Sequence, residues 1–151
     1  MKQKQDSVEV KAPIQEVWAF FSNPKNLEKI TPDDMGFETI NEMPKKMYAG
    51  MMIHHKVGVF PGIRMNWITE ITHVKEGAYF VDEQRFGPFS MWHHEHHFEA
   101  TENGTMITDI ISYKVPLGTL GNIFEPLLVG PKVQNTFAYR AEKVRELFGA
   151  V

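Results

Sequence analysis

Along most of this chain apolar side chains recur at every second residue; behind the first strand and near the carboxy end they recur at every third or fourth. Residues 6–11 alternate Val8 and Val10 with polar neighbours, which predicts a strand with one buried face. Pro13 suits the first turn of a helix, and Ile14, Val17, Trp18 and Phe21 then fall on one side of it. Asn23-Pro24 repeats that start signal for a second short helix ending at Thr31-Pro32. From Met35 the period drops to two. Phe37 and Thr39 open a strand, a turn spans 44–50, and Met51, Ile53, His55 and Val57 alternate with Met52, His54 and Lys56. A loop at 58–62 carrying Pro61 leads to a strand over 63–74, with Met65, Trp67, Thr69 and Ile71 on its apolar side. Strands over 78–86, 90–100 and 105–115 follow, joined by turns at Gly87-Pro88 and at 101–104. Residues 119–128 read as partly helical, and Gly130-Pro131 is expected to interrupt them before a long helix over about 131–148. Its stripe of Val133, Phe137, Arg140, Val144 and Leu147 needs a large surface to pack on, and a curved sheet is the candidate. The pattern gives seven strands, six of them in an unbroken antiparallel run, in a single domain over 1–151 with disorder expected only at the two ends.

The hairpin around Gly87-Pro88 holds the most informative mixture. On the strand that follows the turn, Trp92, His94, His96 and Phe98 share one face, while Met91, His93, Glu95, His97 and Glu99 share the other, which suits water. A three-residue connection sets Gln84 opposite Trp92, Asp82 opposite His94 and Phe80 opposite His96. Pairing Ala100 with Thr105 then sets His96 opposite Asp109, His94 opposite Ile111 and Trp92 opposite Tyr113. Directly opposed residues have Cβ atoms about 4.5 to 5.5 Å apart on the same face. Two Asp/His couples, Asp82 with His94 and His96 with Asp109, are therefore expected among aromatic rings. A slip of one residue would dissolve both.

Composition narrows the function. The 151 residues suffice for one sizeable core, and a net charge of -3 with mixed signs offers no basic stripe for nucleic acid. No stretch approaches the roughly 18 apolar residues of a membrane span, and the polar start lacks the apolar segment of an export signal, so a cytoplasmic protein is expected. With no cysteine, disulfides, thiol nucleophiles and zinc-cysteine sites are excluded. No nucleophile signature, phosphate cradle or dinucleotide fingerprint occurs, so no cofactor is called for. Nine methionines and eighteen aromatic residues supply adaptable and flat apolar surface, which serves as core filler or as a ligand wall.

The order of strand, two short helices, six strands and long helix resembles the helix-grip fold of the START-like, or SRPBCC, superfamily. The resemblance covers essentially the whole chain. It is closest to the small bacterial ligand-binding SRPBCC, cyclase/dehydrase-like group, through Asn26-Leu27-Glu28 with Ile30-Thr31-Pro32, Trp67-Ile68-Thr69-Glu70-Ile71, Val81-Asp82-Glu83-Gln84 with Gly87-Pro88-Phe89, Trp92-x-His94-x-His96-x-Phe98, Gly104-Thr105 with Asp109, and Phe137-x-Tyr139-Arg140. His55 departs from it, standing where that group is expected to carry a tyrosine. The resemblance implies an α+β fold in which a seven-stranded bent antiparallel sheet, with two short helices after its first strand, wraps a long carboxy-terminal helix and leaves a cavity between them.

Asp/His couples orient an imidazole and favour its charged form, as a general acid or base requires; they also make a polar network that tolerates burial because its members satisfy one another. His94, His96, Asp82 and Asp109 are accordingly the candidate catalytic set. The same four side chains form a possible nitrogen/oxygen metal set, but they suffice to neutralise one another and no metal is assigned. His93 and His97, flanking Glu95, read as solvated. Arg140 interrupts an apolar stripe, so it either anchors a ligand oxyanion or pairs with Asp82, Asp109 or Glu83. With it, Phe37, Ile53, His55, Met65, Trp67, Phe80, Gln84, Trp92, Tyr113 and Phe137 are the expected lining of a small-molecule site. Three functions remain open: binding of a small hydrophobic molecule (aromatic, polyketide-like or lipid-like), a cyclase/dehydrase-like enzyme using the Asp/His groups, and a structural or partner-binding domain with a filled cavity. The oligomeric state is not legible.

Overall fold

The computed structural model describes residues 1–60 and 62–151. Strand β1 (Lys2–Val10) leads through Pro13 into helix α1 (Ile14–Phe21), two short 3-10 turns (Pro24–Ile30 and Asp33–Met35) and the two-residue strand β2 (Glu38–Thr39). Strands β3 (Met52–Phe60), β4 (Ile63–Lys75), β5 (Tyr79–Phe86), β6 (Met91–Ala100) and β7 (Thr105–Lys114) follow, then helices α2 (Gly118–Phe124) and α3 (Gly130–Phe148). One seven-stranded sheet results, in the order β1-β7-β6-β5-β4-β3-β2, with every pairing antiparallel. This is the α+β helix-grip architecture expected from the order of elements.

Local chemistry accounts for the elements. Asn23 caps the first 3-10 turn by accepting a hydrogen bond from the Lys25 amide, and Pro24 needs no partner for its nitrogen. The pairing of β4 with β5 shifts register at Ile68/Thr69 and again at Ile71/His73; such irregularities bend a strand and let the sheet curve. Gly104 closes the β6–β7 turn with its φ at 152°, and a Cβ built on it would stand 2.0 Å from the Val10 carbonyl oxygen. Only a glycine lets β1 end so close to that turn.

The core lies on the concave side in two clusters. One gathers α1, the end of β1 and the last turns of α3 around Val10, Val17, Trp18, Phe98, Ile107 and Val144. The other gathers Phe89, Ile111, Tyr113, Val133 and Phe137, with Trp67 and Trp92 against it.

Three expectations need correction. Gly130-Pro131 does not interrupt the carboxy-terminal helix: α2 passes through a π-helical turn (Glu125–Val129) straight into α3. A widened turn offers room for a ring that cannot donate to the carbonyl four residues back, so proline is absorbed rather than excluded. Nor are the ends loose. Lys2 already pairs with Tyr113, Val10 bridges Ala150, and the Lys11 amide donates to the Gly149 carbonyl. The expected loop at 58–62 shrinks, because β3 continues to Phe60; Pro61 lies outside the described residues.

Replacing Gly104 with alanine should cost about 2 kcal/mol through this clash and the unfavourable φ. Urea denaturation followed by circular dichroism reads the cost; an unchanged midpoint would show that β1 can move aside freely.

Candidate polar cavity between the sheet and the terminal helix

The register that the alternation predicted is the register observed. Phe80 opposes His96 and Asp82 opposes His94, while Trp92, His94 and His96 oppose Tyr113, Ile111 and Asp109. Gln84 and Trp92 are not among the paired positions. His94 and His96 both point to the concave side and are 4% exposed, so they face the protein rather than bulk solvent.

Their bonding is diagonal instead of directly across. His94 Nε2 donates to Asp109 Oδ1 at 2.8 Å, and His96 Nε2 donates to Asp82 Oδ2 at 2.7 Å. The directly opposed atoms are farther off, with His94 Nδ1 3.8 Å from Asp82 Oδ2 and His96 Nδ1 3.1 Å from Asp109 Oδ1. The two rings lie 3.7 Å apart between centroids, and His96 also stacks on Phe80 at 4.1 Å. Two imidazoles so close cannot both be charged at low cost in such a place. Burial and the neighbouring His96 bring His94 down to about 4, so it is neutral. Burial works on His96 too, but the Asp109 and Asp82 carboxylates beside it outweigh burial and raise its pKa; Nε2 is bonded to Asp82, while Nδ1, 3.1 Å from Asp109, makes no hydrogen bond among the described residues. Burial disfavours both carboxylates, yet bonds from the histidines hold Asp82 below its usual range and Asp109 well below. Because ionised carboxylates only accept, His94 must carry its hydrogen on Nε2.

Arg140 completes the group from α3. Its Nη1 stands 3.8 Å from Asp109 Oδ1 and its guanidinium carbon lies 5.1 Å from the Phe137 ring centre. Nε and Nη1 have no hydrogen-bond partner among the described residues although both atoms are buried. The two carboxylates thus face Arg140 and a His96 whose protonated form they favour, while guanidinium donors stay free. His55 joins from β3. Burial takes its pKa to about 4, its ring lies 4.6 Å from that of Phe37, and its Nδ1 also has no partner among the described residues.

These side chains form the neck between two chambers. The outer chamber, about 140 Å³, is walled by Trp67, Phe89, Trp92, His94, Val133 and Phe137 and opens past Met35, Leu128 and Lys132. The inner one, about 70 Å³, lies among Phe20, Phe21, Ile30, Ile53, Ile71 and Phe80. His55, Thr69, Asp82, His96 and Arg140 border both. An apolar cavity of about 150 Å³ accepts a benzene-sized molecule, so the outer chamber has room for one ring.

Asp82, His94 and His96 hold ligand atoms within 4.8 Å of one another, as a metal site would. The Nε2 atoms of both histidines are hydrogen-bonded to carboxylates, His96 Nδ1 is not hydrogen-bonded among the described residues, and Arg140 places a cation 3.8 Å from Asp109 beside them.

The sequence profile of the family described as polyketide cyclase / dehydrase and lipid transport matches residues 10–139. The chain belongs to this family. Its fold is similar to that of a START superfamily protein from Mycobacterium smegmatis, at 15% identity and a TM-score of 0.71 over 96% of this chain and 98% of that one. Protein TTHA0849 from Thermus thermophilus is comparable, at 14% identity and a TM-score of 0.70 over 97% and 99%. So is protein Ms6760 from Mycobacterium smegmatis, at 17% identity and a TM-score of 0.70 over 96% and 89%. No protein with a curated description matches the chain by sequence. Membership makes this a domain of a hydrophobic-ligand-binding kind.

Within this family member, four expected lining residues lie elsewhere. Gln84 turns back on the β5–β6 turn, where its Nε2 donates to the Phe89 carbonyl and its Oε1 accepts from the Phe89 amide. Tyr113 is fully buried, and its hydroxyl donates to Glu125. Met65 sits beyond the bulged part of β4 opposite Val57, and Phe37 stands behind His55, off both chambers. Asp109 lies behind His94, His96 and Arg140 and lines neither chamber. On the convex face His93 and His97 are not simply solvated: His93 Nδ1 meets Glu83 at 3.1 Å and His97 Nε2 meets Glu95 at 3.0 Å. Several walls were missed, chiefly Leu27, Thr31, Met35, Leu128, Val129 and Lys132. They sit on short turns and on or beside a π turn, where neither a period of two nor one of 3.6 marks an inward face.

The pH dependence of stability follows from the imidazoles. His55 and His94 titrate near 4 in the fold against 6.5 unfolded, so below 6.5 the unfolded chain takes up protons that the fold refuses. Stability should fall as pH drops from 6.5 toward 4. His96, with a raised value, stabilises below its unfolded pKa and loses that contribution as pH rises through the folded one; Asp82 and Asp109 keep theirs until pH falls below 3.8. Scanning calorimetry across this range should show a declining midpoint, less steep for His55→Leu; equal slopes for the two proteins would contradict the neutral burial of His55.

Proposed function

We propose that the protein binds a small, largely hydrophobic molecule (aromatic, polyketide-like or lipid-like) between the sheet and α3, holding an oxygen acceptor of that molecule at the neck. The observation that carries this reading is Arg140, 9% exposed, with Nε and Nη1 unpartnered among the described residues and bordering both chambers. A guanidinium buried without acceptors is costly, and a ligand carboxylate, phenolate or carbonyl would relieve that cost. Trp67 and Trp92 meet edge to face at 5.2 Å and offer flat walls for a ring in the outer chamber. An apolar enclosure with a few convergent polar groups is the usual form of a small-molecule site.

Native mass spectrometry of untagged protein should find a retained molecule. Arg140→Gln should weaken its binding about 10- to 100-fold, the loss expected for one hydrogen bond to a charged group. Unchanged affinity in that variant would remove Arg140 as the anchor.

A second reading is favoured by the split between the two histidines. A His94 pKa lowered to about 4 beside a His96 pKa that is raised is the kind of divergence that assigns a base and an acid, so the same cavity would suit a cyclase/dehydrase-like proton transfer. His94→Ala and His96→Ala separate the readings: lost turnover with retained affinity supports the enzyme, and lost affinity without measurable turnover supports the binding protein.

A further inference from the structure

Six large apolar side chains, Leu117, Leu120, Ile123, Phe124, Leu127 and Leu128, are 43 to 72% exposed along α2 and the π turn behind it. Their spacing of three, four and seven puts them on one face. That face is the outer one, because Gly121 and Glu125 take the inner one: a Cβ on Gly121 would lie 1.9 Å from the Pro116 carbonyl oxygen, and Glu125 is buried against Tyr113. The helix is amphipathic the wrong way round for a domain alone in water. Lysines surround it. Lys2 Nζ lies 3.9 Å from Glu125, Lys4 donates to the Gly130 carbonyl, Lys114 precedes the helix and Lys132 follows the π turn. From 110 to 141 the one carboxylate is the buried Glu125, although the whole chain is net negative. Leu128 belongs both to the exposed stripe and to the wall of the outer chamber, so the apolar surface runs into the cavity mouth.

We propose that this face docks onto an anionic lipid bilayer, its apolar stripe entering the headgroup boundary and its lysines meeting lipid phosphates and carboxylates. Among the described residues no helix is long and apolar enough to cross a membrane, so the contact is interfacial. A second copy is a poor occupant, since a two-fold pairing would bring one lysine set against the other. Docking would set the mouth at Leu128 and Lys132 against lipid; this consequence rests on reading the cavity as a ligand site, while the docking itself does not.

Sedimentation with phosphatidylcholine vesicles, with and without phosphatidylserine, tests it. Wild-type protein should pellet with the serine-containing vesicles and be released by added salt. The double variant Leu120→Asp, Leu127→Asp should lower partitioning at least about tenfold, and Lys114→Glu at least about fivefold, with unchanged melting temperatures because all three side chains are exposed. Wild-type protein that stays in the supernatant with every vesicle overturns the proposal. So does a wild-type dimer that Leu127→Asp splits while vesicles bind neither form. Native mass spectrometry keeps the two readings apart: a failed cavity leaves no retained molecule in protein that still pellets, and a failed surface leaves a retained molecule in protein that does not.

Discussion

Four ionisable side chains at the seam of the sheet, three buried and Asp82 part-buried, constrain this protein more than any single apolar contact. Asp82, His94, His96 and Asp109 come from three neighbouring strands, and each finds its partner only if β5, β6 and β7 keep one register. An unpaired carboxylate or imidazolium at that depth would cost about 3 to 5 kcal/mol, so a slipped register is penalised by charge as well as by exposure of the apolar face. The network also divides the core. Phe80 stacks on His96 from one apolar cluster, Phe137 meets His94 edge-on from the other, and the polar layer between them leaves the space that becomes the cavity neck.

How far the sequence revealed this depended on the kind of rule involved. Alternation through 91–98 placed His94 and His96 inward and fixed their cross-strand neighbours, because a period of two has a single inward set once one face is known. The diagonal hydrogen bonds were not legible. Register gives Cβ neighbours, whereas a histidine side chain is long enough to reach the diagonal residue two positions along the neighbouring strand, and the groups it then packs among, Phe80 beside His96 and Phe137 beside His94, are remote in sequence. Gln84 and Tyr113 went astray for a related reason. Both stand on predicted strand positions, yet each has a backbone or carboxylate partner nearby that captures its polar group.

The carboxy-terminal segment shows where pattern rules conflict. Gly130-Pro131 signals a break, and the stripe from Val133 onward signals a helix; the π turn satisfies both by widening the coil just before the ring. That solution has a geometric consequence. The π turn inserts a residue into the helical phase, and along 117–128 Gly121 and Glu125 are the buried positions while the large apolar side chains are exposed. Leu117 itself takes a left-handed φ of 71°, a strained state for a side-chain-bearing residue, at the point where the chain enters this helix.

A polar neck between two apolar chambers also limits what the cavity can accept. Neither chamber alone holds more than about one ring, and a molecule filling both must cross His55, Asp82, His96 and Arg140. A purely hydrocarbon chain would leave the unpartnered nitrogens of Arg140 and His55 dry, which would favour an occupant with an oxygen between its apolar parts or at one end. The charge balance sets the sign. Arg140 and His96 stand against the two carboxylates, and the unpartnered guanidinium donors of Arg140 would favour an acceptor in a bound molecule. Specificity would then reside in one buried arginine, standing 3.8 Å from the same aspartate that orients His94.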